Sequence, residues 1–396
     1  MSLVKAFTTV SDVEEREYPQ HRSYPKAISF KELPGWDTFD AGKALKNFES
    51  LFHSACFFHH HSQTRRRGQW HVDKAVNAYR DCFDAFKRDS SFPDFDIKKW
   101  LRTYFQPYEY RANSLGTTQS SETFFTGYYH PVLKASKTST GDFKVPLYSR
   151  PEDLIVLEDL GVFRSDLAGI RLAGTIKGKT LCPFYTRREI NRGVLAGRNL
   201  EIGWVQNPLD AFLMMVQGSG TLMYTDGTQK TFHYDGTNGH AYTSIGKELI
   251  AQGVIPSNEC SLGAIRLWCE SASQDQMMTL LEKNESYVFF QESQAPLGPE
   301  GAIERPLVPL QSVAVDPNFI PMGTPLWLDI FSKPGSLMSY QGIGVAQDIG
   351  GAIKGPCRAD FYCGPGQEGE QKAGTLAQNG HLFLFLPQKL LPQDIL

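Results

Sequence analysis

Six short runs of β-forming residues fill the last 110 residues, and this feature limits the possible folds most strongly. Glycine- and proline-rich turns separate these runs, which are Tyr287–Gln291, Ser312–Val315, Pro325–Ile330, Gly342–Gln347, Asp360–Cys363 and His381–Leu386. Short strands at this spacing suit a small closed barrel, because closure removes exposed sheet edges. The sequence therefore predicts a six-stranded C-terminal barrel.

Two segments of this region resemble each other. Val313–Asp316 and Val345–Asp348 each end in aspartate, and each leads after six intervening residues to a glycine. A repeat of this kind predicts two similar halves that interlock in one barrel.

The rest of the chain divides into helical and β-rich parts. Up to Pro107, apolar residues such as Tyr79 and Phe86 recur at helical spacing. Four β-rich runs follow, with Asp226-Gly227 as a hairpin turn between the last two. These runs are Thr123–Tyr129, Val145–Tyr148, Thr221–Tyr224 and Gln229–Tyr234. Helical signals return at Ser244–Gln252, Leu262–Glu270 and Ser273–Lys283.

We therefore predict an α+β protein that is mainly β. Residues 1–132 and 251–396 are expected to form a discontinuous large domain, with N-terminal helices and the barrel. Residues 133–250 are expected to form a smaller inserted β-domain.

Composition excludes several classes of protein. The net charge is −3, and the basic runs Arg65–Arg67 and Arg187–Arg188 are short, so no nucleic-acid footprint is present. No apolar stretch approaches the roughly 20 residues that span a bilayer. Adjacent helical side chains point in different directions, so we expect no metal site at His59–His61. Cys357 and Cys363 are expected to be thiols, with a disulfide between them as the alternative in an oxidising compartment.

Three aspartates of the barrel region are the candidate catalytic groups. Asp316 and Asp348 end corresponding strands, and Asp360 opens another, so a barrel can gather all three at one mouth. Neighbouring carboxylates raise one another's pKa, and a carboxylic acid that stays protonated near neutrality is a general acid. The alternative is that Asp316 and Asp348 only form turns by bonding their own backbone.

Polar and aromatic residues in two other segments suggest a sugar-binding groove. Thr126, Gly127, Tyr128 and Tyr129 form one segment, and Gln217, Gly218 and Ser219 form the second. Aromatic faces pack on pyranose rings, while hydroxyl and amide groups bond their substituents. Lys354 lies in the glycine-rich segment 348–355. It is expected to bind a substrate group or to balance the charge of the aspartates. A buried strand and a glycine turn remain the alternative for the first two segments.

Several motifs together resemble the membrane-bound lytic murein transglycosylase A family. In chain order they are Phe-Thr-Gly-Tyr-Tyr (125–129), Val-Gln-Gly-Ser-Gly (216–220), Asn-Gly-His-Ala-Tyr-x-Ser-Ile-Gly-Lys (238–247), Pro-Leu-Val-Pro (306–309) and Asp-Ile-Gly-Gly-Ala-Ile-Lys-Gly (348–355). The resemblance covers about 123–387. It implies a double-psi β-barrel domain that carries three aspartates, an inserted β-domain and a groove between them.

The resemblance also implies the reaction and the site. Family members cleave the β-1,4 bond between N-acetylmuramic acid and N-acetylglucosamine without water and leave 1,6-anhydro ends. The position that matches their single catalytic aspartate is Asp360, with Asp348 and Asp316 in support. Asp360, kept protonated by burial and by Asp348, then donates a proton to the glycosidic oxygen. We expect no metal and no cofactor. A hydrolase that uses two aspartates and a non-catalytic peptidoglycan-binding module are the alternatives.

Location and partners follow from the same resemblance. It implies a periplasmic protein anchored at the outer membrane, which binds peptidoglycan glycan strands, and we expect a monomer. No cysteine precedes Cys56, so an N-terminal lipid anchor is expected to lie outside the given sequence.

Overall fold

A computed structural model gives the fold. It describes residues 25–40, 72–92, 95–110, 122–157, 159–167, 170–257, 259–293, 298–303 and 305–391. The histidines at 59–61 lie outside these ranges, and so does Cys56.

Helices and strands alternate irregularly along the described chain. The helices are α1 (Val72–Asp89), α2 (Ile97–Tyr104), α3 (Arg187–Asn191), α4 (Pro208–Gln217), α5 (Ile245–Ala251), α6 (Leu262–Ser271), α7 (Gln274–Leu281) and α8 (Gly366–Thr375). The strands are β1 (Lys26–Ala27), β2 (Phe105–Glu109), β3 (Thr123–His130), β4 (Val132–Ala135), β5 (Val145–Tyr148), β6 (Ile155–Leu157), β7 (Leu172–Lys177), β8 (Thr180–Cys182), β9 (Glu201–Val205), β10 (Ser219–Tyr224), β11 (Gln229–Thr237), β12 (Val288–Glu292), β13 (Ser312–Ala314), β14 (Pro325–Ile330), β15 (Tyr340–Asp348), β16 (Arg358–Pro365) and β17 (Ala377–Pro387). The predicted mixture of strands and helices is confirmed.

The chain forms two compact units. The insert unit contains Tyr129–Pro299 and Pro365–Glu370, and the barrel unit contains the other described residues from 25 onward. The predicted domain boundaries at 132/133 and 250/251 stay a prediction.

A closed ring of six strands builds the barrel unit. The order is β17-β14-β15-β13-β16-β3, and β3 pairs back with β17 to close it. Five of the six runs predicted for the barrel are in this ring. The prediction is wrong for the first run, because β12 pairs with β11 in the insert unit and β3 takes the sixth place. Both runs are β-forming, so only their long-range pairing distinguishes them.

The two similar segments are neighbours in this ring. Strand β13 runs parallel to β15, with Ser312 opposite Val345 and Val313 opposite Ala346. A register shift then brings Ala314 opposite Asp348. The repeat in the sequence therefore corresponds to a pair of parallel strands.

Helices α1 and α2 cover one side of the barrel. The side chain of Asp96 caps α2 by accepting from the amides of Lys98 and Lys99. Buried residues of these helices pack with barrel aromatics in one core, which includes Tyr79, Phe86, Trp100, Trp327 and Phe385. Within the described ranges, no helix is long and apolar enough to cross a bilayer.

Three small sheets and helices α3–α7 build the insert unit. The sheets have the orders β12-β11-β10-β4, β5-β9 and β6-β7-β8. The predicted hairpin at Asp226-Gly227 joins β10 to β11, and Gly227 has a φ of 84°, which favours glycine. Capping boxes at Thr186 and Ser273 begin α3 and α7. A buried apolar cluster that includes Leu147, Met214 and Phe289 forms the core of this unit.

Candidate active site

Strand register places two of the predicted aspartates around one residue. Ala314 of β13 lies opposite Asp360 of β16 on one side and opposite Asp348 of β15 on the other. Directly opposed residues share one face of a sheet, and neighbouring strands lie about 5 Å apart. Asp348 and Asp360 therefore project from the same face, two strand spacings apart.

Asp360 is held by a threonine and an arginine. The Thr126 hydroxyl donates to Asp360 Oδ1 at 2.7 Å, and Arg358 Nη2 donates to the Thr126 hydroxyl oxygen at 2.8 Å. Arg358 Nη1 also donates to the carbonyl oxygens of Phe124 and Ala359. Because Thr126 accepts from arginine, its own proton is directed at the carboxylate. The three side chains form a chain of donors that ends on one oxygen of Asp360.

Opposing effects set the protonation of Asp360. Burial raises the pKa of its carboxyl group, while the Arg358 charge and the Thr126 hydrogen bond act to lower it. The raising effect is the larger, so the acid form is favoured relative to an exposed aspartate. Burial in turn lowers the pKa of Arg358, although Asp360 counteracts this.

Asp348 is also a carboxyl group with a raised pKa. Burial raises the pKa of Asp348 to about 6, and the charge of Asp360 adds to the effect. Backbone amides oppose it, since Asp348 Oδ1 accepts from Ile349 at 2.9 Å and from Ala302 at 3.1 Å. Two carboxyl groups with raised pKa values thus lie on one face of the barrel.

Asp316 has different hydrogen-bond partners from Asp348 and Asp360. Its Oδ1 accepts from the Asn318 backbone at 3.0 Å and side chain at 2.9 Å, and its Oδ2 accepts from the Gly355 amide at 2.8 Å. Both oxygens are thus occupied by local and loop donors. Asp316 thus bonds its own turn, which was the alternative interpretation of this residue. Its additional hydrogen bond with the Gly355 amide holds the end of the 348–355 loop in place. Lys354 lies exposed on the same loop.

The two adjacent tyrosines of β3, Tyr128 and Tyr129, have different surroundings. The Tyr128 hydroxyl is buried next to the Asp348 carboxyl group. Burial, followed by the charges of Asp348 and Asp360, raises the pKa of Tyr128 well above its ordinary value. The ring centroids of Tyr128 and Tyr362 lie 5.3 Å apart. This hydroxyl therefore stays protonated and is available as a donor near both carboxyl groups.

Gly127 allows close packing at the middle of β3. A Cβ atom there would lie 2.7 Å from Ala373 Cα and 2.9 Å from Cys363 Sγ. Both distances are shorter than carbon and sulfur contacts allow, so no larger residue fits without movement. Gly127 is therefore explained by packing. Cys357 and Cys363 are both thiols, as expected.

Other predicted binding residues lie in the insert unit. Gln217 ends α4, and its Oε1 accepts from the Tyr129 amide at 3.1 Å. Gly218 caps the helix with a φ of 77°. Ser219 begins β10, and its hydroxyl lies 3.0 Å from His130 Nδ1. Tyr129 itself is only 3% exposed, which leaves Tyr128 as the better candidate for a sugar contact.

Sequence reasoning assigned no role to Arg358 or His130. The signal for Arg358 was available, because residues two apart on a strand share a face and Arg358 precedes Asp360 by two. His130 had no such signal, since its partners Ser219 and Thr221 lie about 90 residues away along the chain. No group of three or more His, Cys, Asp or Glu side chains in the described ranges is arranged to hold a metal ion.

Two family models match the sequence. The MltA specific insert domain matches residues 124–291, and the 3D domain matches residues 311–386. The second match contains Asp316, Asp348 and Asp360, and the first contains Thr126, Gln217 and Ser219. Both sets of candidate residues thus fall within the matched regions.

Curated relatives carry one name. The membrane-bound lytic murein transglycosylase A of Escherichia coli strain K12 is 35% identical over 279 residues, which cover 69% of this chain and 67% of that protein. The protein of the same name from Vibrio cholerae is 33% identical over 68% of this chain and 66% of its own length.

Solved structures agree with these relatives. A membrane-bound lytic murein transglycosylase from Agrobacterium tumefaciens has a TM-score of 0.76 at 25% identity and covers 94% of this chain and 99% of its own. MltA from Neisseria gonorrhoeae has a TM-score of 0.75 at 26% identity, with 93% of each chain covered. E. coli MltA with bound chitohexaose has a TM-score of 0.66 at 27% identity, covering 93% of this chain and 95% of its own.

Proposed function

Because this chain belongs to the membrane-bound lytic murein transglycosylase A family, we propose that it cleaves peptidoglycan without water. The bond cleaved is the β-1,4 linkage between N-acetylmuramic acid and N-acetylglucosamine, and the product carries a 1,6-anhydro end. The observation that carries the chemical assignment is the donor chain from Arg358 through Thr126 to Asp360.

Asp360 is the proposed acid and base. Its protonated carboxyl group donates to the glycosidic oxygen as the bond breaks through an oxocarbenium-like state. The resulting carboxylate accepts the proton of the C6 hydroxyl, whose oxygen attacks the anomeric carbon. Protons balance, because Asp360 gives one and regains one, and no water is consumed. Burial supports the first step by raising the pKa, and Arg358 and Thr126 support the carboxylate that follows.

Asp348 is proposed as a partner of this reaction rather than as a nucleophile. When Asp360 is charged, its field raises the pKa of Asp348, so the two groups do not ionise independently. The amides of Ile349 and Ala302 fix the Asp348 carboxyl group in place. Asp316 is proposed to support the site through the loop that it ties at Gly355.

The binding residues keep proposed roles that match their surroundings. Thr126 acts on Asp360, and Tyr128 is the aromatic and hydroxyl contact for sugar. Because the Tyr129 amide occupies Gln217 Oε1, the Gln217 NH₂ group is the end proposed to donate to a glycan acceptor. Ser219 and Lys354 are proposed to bond glycan hydroxyl or carboxyl groups. Gly127 and Gly218 provide backbone shape.

The finer fold and the location are also proposals. A double-psi arrangement is supported by the parallel pairing of the two similar segments, β13 and β15. Periplasmic location with an outer-membrane anchor is supported by the relatives, which are named membrane-bound. A monomer remains the expectation.

Mass spectrometry of products from purified murein sacculi tests the reaction. Wild type should release muropeptides lighter by one water than hydrolytic products, and Asp360→Asn should release none while it still binds glycan. Asp329→Asn is the matched control, because Asp329 lies on barrel strand β14 and should leave product formation unchanged.

Other products would contradict the proposal. Reducing ends that carry the water would mean that the enzyme is a hydrolase, with Asp348 as the candidate for its second carboxylate. Glycan binding without any product from wild type would mean a binding module. Full activity in Asp360→Asn would remove this residue from the chemistry.

A further inference from the structure

A cavity of about 740 Å³ lies beside strand β4 in the insert unit. Its volume is within the range of about 300–1,000 Å³ that is typical of ligand sites. Every residue that lines it belongs to the insert unit, and none of them is proposed above to take part in the reaction. The lining comes from β4, from the end of β9 with the start of α4, and from α6 and α7.

Strand β4 has one paired edge and one edge that faces this cavity. On the paired edge it runs parallel to β10, and the carbonyls of Pro131 and Ala135 accept from two amides on the β10 side at 2.8 and 3.0 Å. Backbone groups of successive residues in a strand point to opposite edges. Val132 and Lys134 therefore direct their N–H and C=O groups away from β10. We call these four backbone groups the open edge.

Strand β9 covers the chain just beyond the open edge but not the open edge itself. Ser136 and Trp204 exchange two backbone hydrogen bonds of 2.8 Å each in an antiparallel bridge. Continuation of this ladder would pair Lys134 with Gln206, but no bridge joins these two described residues. Both line the cavity instead. The two strands thus separate on the Lys134 side of the bridge, and the cavity lies between them.

Four charged side chains line the cavity, two of each sign. They are Lys134, Asp210, Arg266 and Glu270. Arg266 donates to Asp210 at 2.7 Å and also to Glu370, so its guanidinium group is occupied. Lys134 and Glu270 are exposed, and neither forms an ion pair with a described side chain. One positive and one negative side chain thus remain for a ligand.

We propose that the open edge binds an extended segment of a protein partner, which adds a strand to the sheet beside β4. Alternate residues of a strand lie about 7 Å apart, and each offers one donor and one acceptor, so a second extended backbone matches them. An acidic and a basic side chain on the segment fit Lys134 and Glu270. Apolar side chains fit the part of the wall formed by Val205, Leu209 and Met277.

The lysine on this edge favours a partner over a second copy of the chain. Two copies that paired through their open edges would bring two Lys134 side chains near each other, and like charges at such positions are unfavourable. A segment that carries an acidic residue has no such cost. This proposal does not depend on the catalytic assignment.

Fluorescence anisotropy of the full chain with labelled peptides tests the proposal. Each probe is a fluorescein-labelled hexapeptide of alternating valine and threonine, in which one threonine is replaced by glutamate and another by lysine. We expect saturable binding by at least one probe. N-methylation of its amides along one edge should weaken binding about tenfold or more, because backbone hydrogen bonds are lost. Methylation along the opposite edge should leave binding unchanged, because only one edge of an added strand faces β4.

Lys134→Pro removes one donor of the open edge and has Lys134→Gln as its matched control. Proline is tolerated on an edge strand where the N–H faces away from the neighbouring strand, so pairing with β10 is retained. Lys134→Pro should weaken binding of the best probe about tenfold or more. Lys134→Gln keeps the N–H and should weaken it about threefold, as expected for an exposed ion pair. Circular dichroism should show that both variants fold.

Several outcomes would overturn the proposal. No binding by any probe, or equal loss from methylation of either edge, would mean that the open edge does not pair with a peptide backbone. Equal weakening by the two Lys134 variants would mean that charge alone holds the peptide. Displacement of the probe by chitohexaose would assign the cavity to glycan, and self-association that Lys134→Pro abolishes would assign the edge to a second copy.

Discussion

Replacement of Asp348 by asparagine gives a stability test of the carboxyl pair. Burial raises the pKa of Asp348 from an ordinary 3.8 to about 6 in the folded protein. Folded protein therefore holds this proton more tightly than unfolded protein. The associated stability is complete below about pH 3.8 and is lost as pH rises through about 6.

The magnitude follows from the pKa shift. Each pKa unit corresponds to about 1.4 kcal/mol, so full burial would cost wild type about 3 kcal/mol in all, most of it between pH 4 and pH 8. Solvent reaches the half-buried carboxyl group and reduces this to about 1–3 kcal/mol. Asparagine has no charge to bury, and its carbonyl oxygen can still accept from Ile349 and Ala302. The free energy of unfolding of the variant should therefore increase relative to that of wild type as pH rises.

Urea denaturation followed by tryptophan fluorescence measures this difference. The free energy of unfolding of Asp348→Asn minus that of wild type should increase by about 1–3 kcal/mol from pH 4 to pH 8. The pH 4 measurement is the reference point, because folded wild type is then protonated and most of the difference has yet to develop. A difference that stays constant across this range would refute the reasoning about burial of Asp348.

Three further changes test other parts of the site. Gly127→Ala should destabilise the fold by about 1–3 kcal/mol, because the new Cβ meets Ala373 and Cys363; chemical denaturation checks this, and an unchanged midpoint would contradict it. Burial lowers the pKa of His130 to about 4, so its contribution to stability, about 3 kcal/mol, is present above pH 6.5 and lost as pH falls toward 4. His130→Gln should remove this pH dependence in denaturation curves, and its persistence would mean that another group is responsible. Arg358→Met should raise the pKa of Asp360 and move the basic limb of the kcat/KM profile to higher pH, whereas a limb that stays in place would exclude Arg358 from setting that pKa.

Local sequence signals predicted strands well but did not predict all partners. The alternation and turn residues around Pro325–Ile330 and Asp360–Cys363 are local, and both are barrel strands. The run at Tyr287–Gln291 has the same local character, yet it pairs with β11. A strand carries little information about which distant edge it joins, because backbone hydrogen bonds are the same for every partner. The wrong assignment therefore concerns pairing and not secondary structure.

The same distinction applies to the candidate site. The strand endings predicted that Asp316, Asp348 and Asp360 gather at one mouth of the barrel, and register around Ala314 brings Asp348 and Asp360 to one face. The contacts of Asp316 with Gly355 and of Thr126 with Asp360 join residues 39 and 234 positions apart. No periodicity reports such contacts, so the roles of these two side chains emerge only from the fold.

Different surroundings make the two carboxyl groups unequal, and the proposed reaction requires this. A single acid and base must release a proton readily and regain it, so a pKa near the working pH is best. Burial alone would raise the pKa of Asp360 further and would stabilise the acid against release. Arg358, acting also through Thr126, opposes that rise and supports the carboxylate left after donation. Asp348 accepts hydrogen bonds from the neutral amides of Ile349 and Ala302, and the charge that Asp360 acquires on ionising raises the pKa of Asp348 further, so Asp348 tends to stay protonated at that point. The pair thus avoids two adjacent charges at the moment when positive charge develops on the sugar and Asp360 alone carries the compensating carboxylate.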